Sequence, residues 1–257
     1  MIQVLLFLAL VSYTTSSSGQ PIHIYIDADF SNHSESAESM FMGLSTAFSE
    51  VKNSIQGRPV KILKKDHRAN SLRSLRNLQQ FIDDPNALLV LGGMHSPPYI
   101  QNRDFINKNE VLLLVAWAAG APITRYSEGL NWVFRLSLDD TKAGERLGRF
   151  AVQEQGCRTP HLLLENTPWG RSNYRALTEY AKRELRTSWP ITWFGWNISF
   201  NQARTQIREI ESEGADCLIY VGSHLEAEQF AKATLSLSAD VPSIISHWGI
   251  TGGDFHE

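Results

Sequence analysis

The chain alternates short apolar runs with amphipathic segments, and this alternation constrains its fold more than any other feature. Ile22–Asp27, Ala87–Leu91 and Cys217–Val221 are apolar runs that predict buried strands. Asn70–Ile82 instead has large apolar residues at near-helical spacing. Strands that alternate with helical patterns of about ten or more residues are typical of βαβ units, which build parallel sheets. The pattern therefore predicts an α/β fold.

The remaining elements continue the same alternation along the chain. Further strands are predicted at Val60–Lys64, Val111–Ala116, Trp132–Leu136, His161–Glu165, Ile191–Trp196 and Ser243–Ser246. Further helices are predicted at Glu35–Ile55, Pro98–Asn107, Asp139–Gln155, Gly170–Arg186, Ala203–Glu213 and Leu225–Leu237, with Asp139 or Asp140 as a helix cap.

One polar, turn-like segment, Pro122–Asn131, interrupts the alternation. We interpret it as the boundary between two similar lobes, with Trp132–Leu136 opening the next unit and the second lobe starting near Leu138. The predicted domains are residues 20–137 and residues 138–257. Two lobes agree with a length of 257 residues, since a domain usually has ~100–200 residues.

The N-terminus has the pattern of a secretory signal peptide. Residues 1–19 contain no charged side chain, and the apolar run Ile2–Val11 is followed by the small polar residues Ser12–Ser18. The run is shorter than the ~20 residues that span a bilayer. We predict cleavage of residues 1–19 and export, although a basic n-region is missing, and a buried N-terminal strand or a mis-called start is the alternative.

Composition and motifs exclude several function classes. Lys+Arg 24 against Asp+Glu 27 leaves a net charge of −3, so nucleic-acid binding is not expected. The chain has no G-x-G-x-x-G, no G-x-x-x-x-G-K-[ST] and no G-x-S-x-G motif. Asp27 and Asp29 flank one loop, where carboxylates more often cap turns than catalyse. We therefore predict no cofactor and no catalytic residues.

Three histidines, His95, His224 and His247, each follow a predicted strand. Three imidazoles that face one cleft could hold zinc. Their spacing matches no metal-binding motif, so we interpret them as loop residues or ligand hydrogen-bonders and predict no metal site.

The two cysteines, Cys157 and Cys217, both precede strands of the second lobe. Export would permit a disulfide between them, and two buried thiols are the alternative. The sequence leaves this choice open.

Tryptophans mark the predicted cleft. In open parallel sheets ligands bind beyond the carboxyl ends of the strands, and Trp117, Trp169 and Trp248 all follow predicted strands. An aromatic that recurs in these loops suits an amphipathic binding surface. The other tryptophans are interpreted as structural: Trp132, Trp189, Trp193 and Trp196.

Several segments resemble a known family in their order and spacing. They are Leu89–Ser96, Val111–Pro122, Trp132–Arg135, Leu162–Gly170 and Gly214–Gly222. From about Pro21 onward the chain resembles type I periplasmic binding proteins of the branched-chain amino-acid (Leu/Ile/Val-binding) class, the substrate-binding components of ABC importers. The resemblance implies two Rossmann-like lobes in the periplasm that close on a small ligand about a hinge. We predict that the hinge includes Arg135–Leu138.

The resemblance also implies the ligand-binding residues. The loops that match Met94-His95-Ser96 and Ala118–Gly120 hold the ligand's carboxylate and amino groups in the family, and an aromatic that covers the ligand matches Trp169. Ser223 and Trp248 match two further cleft positions. With Trp117, the predicted ligand-binding set is Met94, His95, Ser96, Trp117, Ala118, Gly120, Trp169, Ser223 and Trp248.

Two departures from the family pattern bear on the ligand. Gly120 lacks the hydroxyl that binds the ammonium group in the family, and Trp248 stands where an acid often pairs with it. Both departures argue against a standard amino acid and, with Trp117, Trp169 and Trp248, favour a flatter, more apolar or cationic ligand. A quaternary ammonium suits a cage of rings, and an aromatic acid or a urea-like amide suits stacking; these alternatives stay open. The ligand class that we predict is a small nitrogen-containing compound, such as an amino acid, an amide or a related compound. Family members also continue well past the strand that matches Ser243–Ser246, so we expect a fragment or a C-terminally truncated protein.

The predicted function is that of an exported, non-enzymatic and monomeric solute-binding protein that delivers its ligand to an ABC permease. One alternative is the ligand-sensing ectodomain of a receptor with the same fold, which a transmembrane or signalling segment after residue 257 would mark. Another is an enzyme of doubly wound fold, which would need an acid–base set or a nucleophile across the cleft.

Overall fold

A computed structural model describes residues 19–237 and 242–250 of the chain, without the side chain of Trp248. Within these ranges strands and helices alternate and build two separate sheets, one from residues 22–135 and one from residues 160–245. The predicted α/β architecture of two Rossmann-like lobes is therefore confirmed. Residues 1–18 of the predicted signal peptide lie outside the described ranges.

The first lobe has a six-stranded sheet in the order β2-β3-β1-β4-β5-β6. Its strands are β1 (Ile22–Ala28), β2 (Ser54–Ile55), β3 (Arg58–Asp66), β4 (Ala87–Gly92), β5 (Leu113–Val115) and β6 (Val133–Arg135). Its helices are α1 (Ser34–Glu50), α2 (Ser71–Asp83), α3 (Ser96–Gln101) and α4 (Arg103–Lys108), and a 3₁₀ turn covers Ala121–Thr124. Only β2 runs antiparallel to its neighbour among these strands.

The second lobe has a four-stranded parallel sheet in the order β10-β9-β7-β8. Its strands are β7 (Pro160–Glu165), β8 (Ile191–Phe194), β9 (Cys217–Val221) and β10 (Ser243–Ile245). Its helices are α5 (Asp140–Arg149), α6 (Pro168–Tyr180), α7 (Phe200–Ser212) and α8 (His224–Leu237). Every residue of β7 and β9 is buried, as expected for parallel strands that are covered on both faces.

Helix boundaries follow local backbone chemistry. The Asp139 side chain accepts the N–H groups of Thr141 and Lys142, which confirms the predicted cap of α5. The prediction of one helix over Glu35–Ile55 is too long, because the chain turns after α1 through Lys52 and Asn53, whose φ angles are positive. The segment predicted as a helix at Pro98–Asn107 forms two short helices, α3 and α4.

The strand predicted to open the second unit belongs to the first sheet. Val133 of β6 lies opposite Leu113 of β5 in a parallel register, and the Leu136 N–H donates to the Val115 carbonyl at 2.9 Å. The polar interruption is thus the connection between two strands of one sheet. Two large apolar side chains in and directly after β6, Phe134 and Leu136, are 57% and 89% exposed. A hinge at Arg135–Leu138 stays a prediction.

The two cysteines form a disulfide between neighbouring strands. Cys157 precedes β7 and Cys217 begins β9, and their Cα atoms are 6.0 Å apart, within the range that a disulfide requires. Of the two alternatives that the sequence left open, the structure therefore has the disulfide and not two free thiols. Closing a loop with a sequence separation of 60 stabilises the fold by about 4 kcal/mol in the chain-entropy account.

Within the described residues, no helix is both long enough and apolar enough to cross a bilayer.

Candidate functional site

A cavity of about 380 Å³ lies between the loops that follow the strands of the two sheets. The first lobe contributes Asp29, Asn32, His33, Arg68, Ala69, Met94, His95, Ser96, Pro97, Trp117 and Ala119. The second lobe contributes Glu165, Trp169, Trp196, Asn197, Ser223, Leu225, Glu226 and Gly249. The position is the one where open α/β sheets bind ligands, and the volume suits a small molecule.

Most of the predicted ligand-binding residues lie along this cavity. Those that line it are Met94, His95, Ser96, Trp117, Trp169 and Ser223. Ala118 is instead fully buried in the core of the first lobe, and its neighbour Ala119 lines the cavity. Gly120 lies behind Ser96 rather than at the surface of the cavity. The Trp248 side chain lies outside the described part of the chain.

Gly120 has a steric reason to lack a side chain. Its N–H donates a hydrogen bond to Ser96 Oγ at 3.0 Å. A Cβ atom at this position would lie 2.8 Å from Ile100 Cδ1 and 3.0 Å from Ser96 Cβ, closer than packed carbon atoms approach. The hydroxyl expected from the family pattern therefore has no room here. Ser96 therefore supplies the hydroxyl group in this part of the cavity. Its oxygen accepts the Gly120 N–H, and its own proton can still be donated to a ligand.

Trp169 is held from behind by a buried carboxyl group. Its Nε1–H donates to Asp140 Oδ1 at 3.0 Å, and Asp140 Oδ2 accepts the Ala121 N–H at 3.3 Å. Burial raises the pKa of Asp140 to about 7, although hydrogen bonds, among them those from Ser172 and Trp169, oppose the rise. The indole ring therefore has a fixed orientation at the entrance to α6.

The wall from the second lobe contains two buried carboxyl groups, Glu165 and Glu226, which are 3% and 4% exposed. Burial raises the pKa of Glu165 to about 7, and the charge of Glu226 adds to the rise. Glu226 accepts the Asn197 N–H at 2.9 Å and a short hydrogen bond from the Ser223 hydroxyl. This wall is therefore acidic and built from fixed groups.

Trp196 also lines the cavity, so the interpretation of it as a structural residue is wrong. The physical reason is the end of β8, which stops at Phe194 instead of continuing to Trp196. The indole is 41% exposed in the loop beyond the strand. Trp189 and Trp193 pack against the core of the second lobe, in agreement with their predicted role.

Histidines cluster on the wall from the first lobe. The ring centroid of His95 lies 4.7 Å from that of His33 and 5.7 Å from that of His67, and His224 lies 5.8 Å from His33. His247 lies apart from them, beside Trp169. Burial, together with the charges of His33 and His67, lowers the pKa of His95 to about 3. The three histidines His95, His224 and His247 therefore do not form one group, because His95 and His224 lie beside His33 whereas His247 lies beside Trp169.

The sequence reasoning missed His33 and His67, although a signal was present. His67 directly follows β3, and His33 directly precedes α1 in the loop after β1. Both lie beyond the carboxyl end of a strand, as do the residues that we predicted to line the cleft. Asp29, in the same loop as His33, accepts the N–H groups of Ser31 and Asn32, which confirms that it caps a turn.

Arg68 is the one Lys or Arg side chain among the described residues that line the cavity. Its Nε lies 3.1 Å from Asp66 Oδ2, and its side chain is 54% exposed. The carboxyl groups of Asp29, Glu165 and Glu226 face the same cavity. The formal charge of the lining is therefore negative when these groups are ionised.

Comparisons with known proteins agree with this architecture. The model of the family described as "Periplasmic binding protein" matches residues 26–240. Two solved structures have TM-scores of 0.78 and 16% identity: a leucine-binding protein from Thermotoga maritima and an ABC-transporter solute-binding protein from Rhodopseudomonas palustris HaA2, in complex with p-hydroxybenzoic acid. The first match covers 89% of this chain and 64% of that one, and the second covers 90% and 62%.

A third similar structure is an ABC-transporter substrate-binding protein from Desulfitobacterium hafniense in complex with Leu. Its TM-score is 0.67 at 18% identity, and the match covers 88% of this chain and 66% of that one. The chain thus spans 62 to 66% of the length of these proteins. No curated protein matches the chain by sequence.

Proposed function

We propose a function from the premise that this chain belongs to the periplasmic binding protein family: it binds a small solute between its two lobes and presents it to an ABC permease. The cavity between the strand-end loops supports this proposal, because both lobes contribute polar and aromatic side chains to it. Closure of two lobes around a ligand is a known way in which such a fold signals occupancy.

The proposed ligand is a small nitrogen-containing cation, such as an amine or an amidine. The observation that carries this choice is the pair of buried carboxyl groups, Glu165 and Glu226. Neither forms an ion pair with a Lys or Arg side chain within the described residues. A buried carboxylate without a cationic partner is costly, and a ligand cation supplies that partner.

Aromatic rings complete the proposed binding surface. Trp117, Trp169 and Trp196 line the same cavity as the two carboxyl groups. Indole faces attract cations and pack against apolar groups. On the opposite wall the Ser96 hydroxyl and the neutral His95 ring can form hydrogen bonds with uncharged polar groups of the ligand. The arrangement favours a cation with a polar end over a bare aliphatic amine.

The proposal also covers the location of the protein, its activity and its oligomeric state. The disulfide between Cys157 and Cys217 is typical of proteins in an oxidising compartment, which supports an exported protein in the periplasm. Members of this family bind solutes rather than convert them, and we propose binding without turnover, by a monomer.

A thermal-shift screen of the full chain tests the proposal. Ligands stabilise a native protein by RT ln(1 + [L]/Kd), about 4 kcal/mol at ~1,000 Kd. We expect amines, amidines, betaines or cationic amino acids to raise the Tm, and the isosteric variants Glu165→Gln and Glu226→Gln to lose the shift. Stabilisation by aromatic acids alone, or by no nitrogenous compound, would contradict the proposed ligand class.

A further inference from the structure

The wall from the first lobe brings together three groups that can coordinate a metal. Asp29 lies in the loop after β1, His33 directly precedes α1, and His95 follows β4. One possible ligand atom from each of them lies within 4.8 Å of the other two. All three residues also line the cavity, so an ion bound to them would be accessible to a small molecule in the cavity.

A second observation, independent of this proximity, points to a missing partner. His95 is 9% exposed, and its Nδ1 atom is buried without a hydrogen-bond partner. Buried polar atoms are rarely left in this state, because such an atom gives up its hydrogen bonds to water and gains none in return. A ligand that binds at the cluster would remove that cost.

We propose that Asp29, His33 and His95 bind a divalent transition-metal ion whose remaining coordination position opens to the cavity. Two imidazoles and one carboxylate are a ligand set of open zinc sites, in which a water or another ligand takes the fourth position. The same set is used by non-haem iron(II) sites. The site belongs to one lobe and shares His95 with the proposed solute site, but metal binding does not require the solute.

The geometry of the pair Asp29 and His33 suits such an ion. His33 Nδ1 and Asp29 Oδ2 form a hydrogen bond of 3.2 Å, and an ion bound by these two atoms would replace it. Two ligands ~2.0 Å from a tetrahedral zinc lie about 3.3 Å apart, so the exchange needs little movement of either side chain. Asp29 Oδ1 is held by the N–H groups of Ser31 and Asn32. Outer contacts of this kind orient a ligating carboxylate.

The neighbouring histidines are not part of the proposed ligand set. His67 Nδ1 accepts the Ala69 N–H at 3.0 Å, so the neutral ring carries its proton on Nε2 and has no free lone pair there. His224 belongs to α8 of the second lobe. Glu165 and Glu226 contribute negative charge across the cavity, which favours cations in general.

Cobalt titration of the full chain, after treatment with a chelator, tests the site. We expect one equivalent of Co²⁺ to give the visible absorption of a low-coordinate site, and Zn²⁺ to displace it. His33→Gln and His95→Asn should each weaken binding by at least about 10- to 100-fold, the loss known for changes around metal ligands. The matched control is His23→Gln, which removes a His–Asp contact at the opposite end of β1 (His23 Nδ1 to Asp84 Oδ2, 2.6 Å).

Circular dichroism and thermal unfolding in chelator establish that each variant is folded before it is titrated. If His95→Asn does not fold, His33→Gln and Asp29→Asn decide the question. Binding that is absent in the wild type, retained in the folded variants or lost equally in His23→Gln overturns the proposal. Loss of amine binding in Glu165→Gln, with cobalt binding unchanged, would show that the metal site and the solute site are separate.

Discussion

Trp169 donates a hydrogen bond from Nε1 to Asp140 Oδ1 at 3.0 Å, while the other oxygen of Asp140 accepts the Ala121 N–H from the first lobe. One carboxyl group therefore connects the aromatic wall of the cavity to both lobes. Since the ring of Trp169 lines the cavity, its orientation is set by a residue that a ligand does not need to touch.

Trp169→Ala should abolish stabilisation by the ligand and leave the free protein folded, because the ring is only half-buried and faces the cavity. Thermal shift with the ligand found in the screen measures the loss, and circular dichroism measures the fold. Trp132→Ala is the matched control, since Trp132 does not line the cavity. A full ligand shift in Trp169→Ala would remove this ring from the site.

Glu165→Gln should stabilise the ligand-free protein at pH 8 relative to the wild type. Burial raises the folded-state pKa of Glu165 to about 7, above the unfolded value, so the native state binds the proton more tightly. The wild type therefore loses stability as the pH rises through about 5 to 7, whereas glutamine does not titrate. Urea unfolding of both proteins at pH 5 and pH 8 measures the difference, which should shrink towards pH 5. A difference independent of pH would contradict the raised pKa.

The same group should make cation binding depend on pH in the opposite direction. A cationic ligand needs ionised Glu165, so affinity should rise by up to about tenfold per pH unit below pH 7 and level off above it. Calorimetric titration between pH 5.5 and pH 8.5, with a ligand whose own charge is constant there, measures this slope. Glu165→Gln keeps Glu226 but cannot ionise at position 165, so raising the pH should not restore binding in that variant.

Gly120→Ala should destabilise the protein by about 1–3 kcal/mol, the usual cost of overpacking a buried position. The added Cβ would meet Ile100 and Ser96 at 2.8 and 3.0 Å, and the shift of Ser96 should also weaken ligand binding. Gly129→Ala is the matched control, since its Cβ would approach only Tyr126, at 3.9 Å. Equal unfolding midpoints in urea for the two variants would argue against the close contact.

Replacing both cysteines, Cys157→Ala with Cys217→Ala, should cost about 2–5 kcal/mol, as for other native disulfides. The loss should be confined to conditions under which the wild type is oxidised, and a reducing agent should bring the wild type down to the level of the variant. Denaturant unfolding with and without the reductant separates the bond from the packing of the two side chains. Unequal midpoints under reduction would assign part of the effect to packing.

The sequence predicted the strands better than the segments between them. β9 coincides with the predicted Cys217–Val221, because a wholly buried parallel strand is a continuous apolar run. β6 was also recognised as a strand and lies inside the predicted first domain, residues 20–137, but it closes the first sheet instead of opening the next unit. Which sheet a short strand joins depends on hydrogen bonds to a distant segment, and no local pattern records them.

The cavity could be anticipated only where a residue follows a correctly bounded strand. Ser96 and Trp169 follow strands that were well placed, whereas Trp196 was assigned to a strand that ends at Phe194. The grouping of His33 with His95 arises from the parallel pairing of β1 and β4, which puts their following loops side by side. Strand order is a long-range property, so spacing along the chain could not predict this grouping.

Strand β6 forms an edge of the first sheet within the described residues, and it has only three residues. Its Val133 carbonyl accepts a hydrogen bond from the Asn131 side chain at 2.9 Å, while Phe134 stays exposed. Sheet edges are templates on which further strands assemble, and a short edge offers few bonds for this. An added strand at β6 would therefore gain few backbone hydrogen bonds, so this edge disfavours self-association and agrees with the proposed monomer.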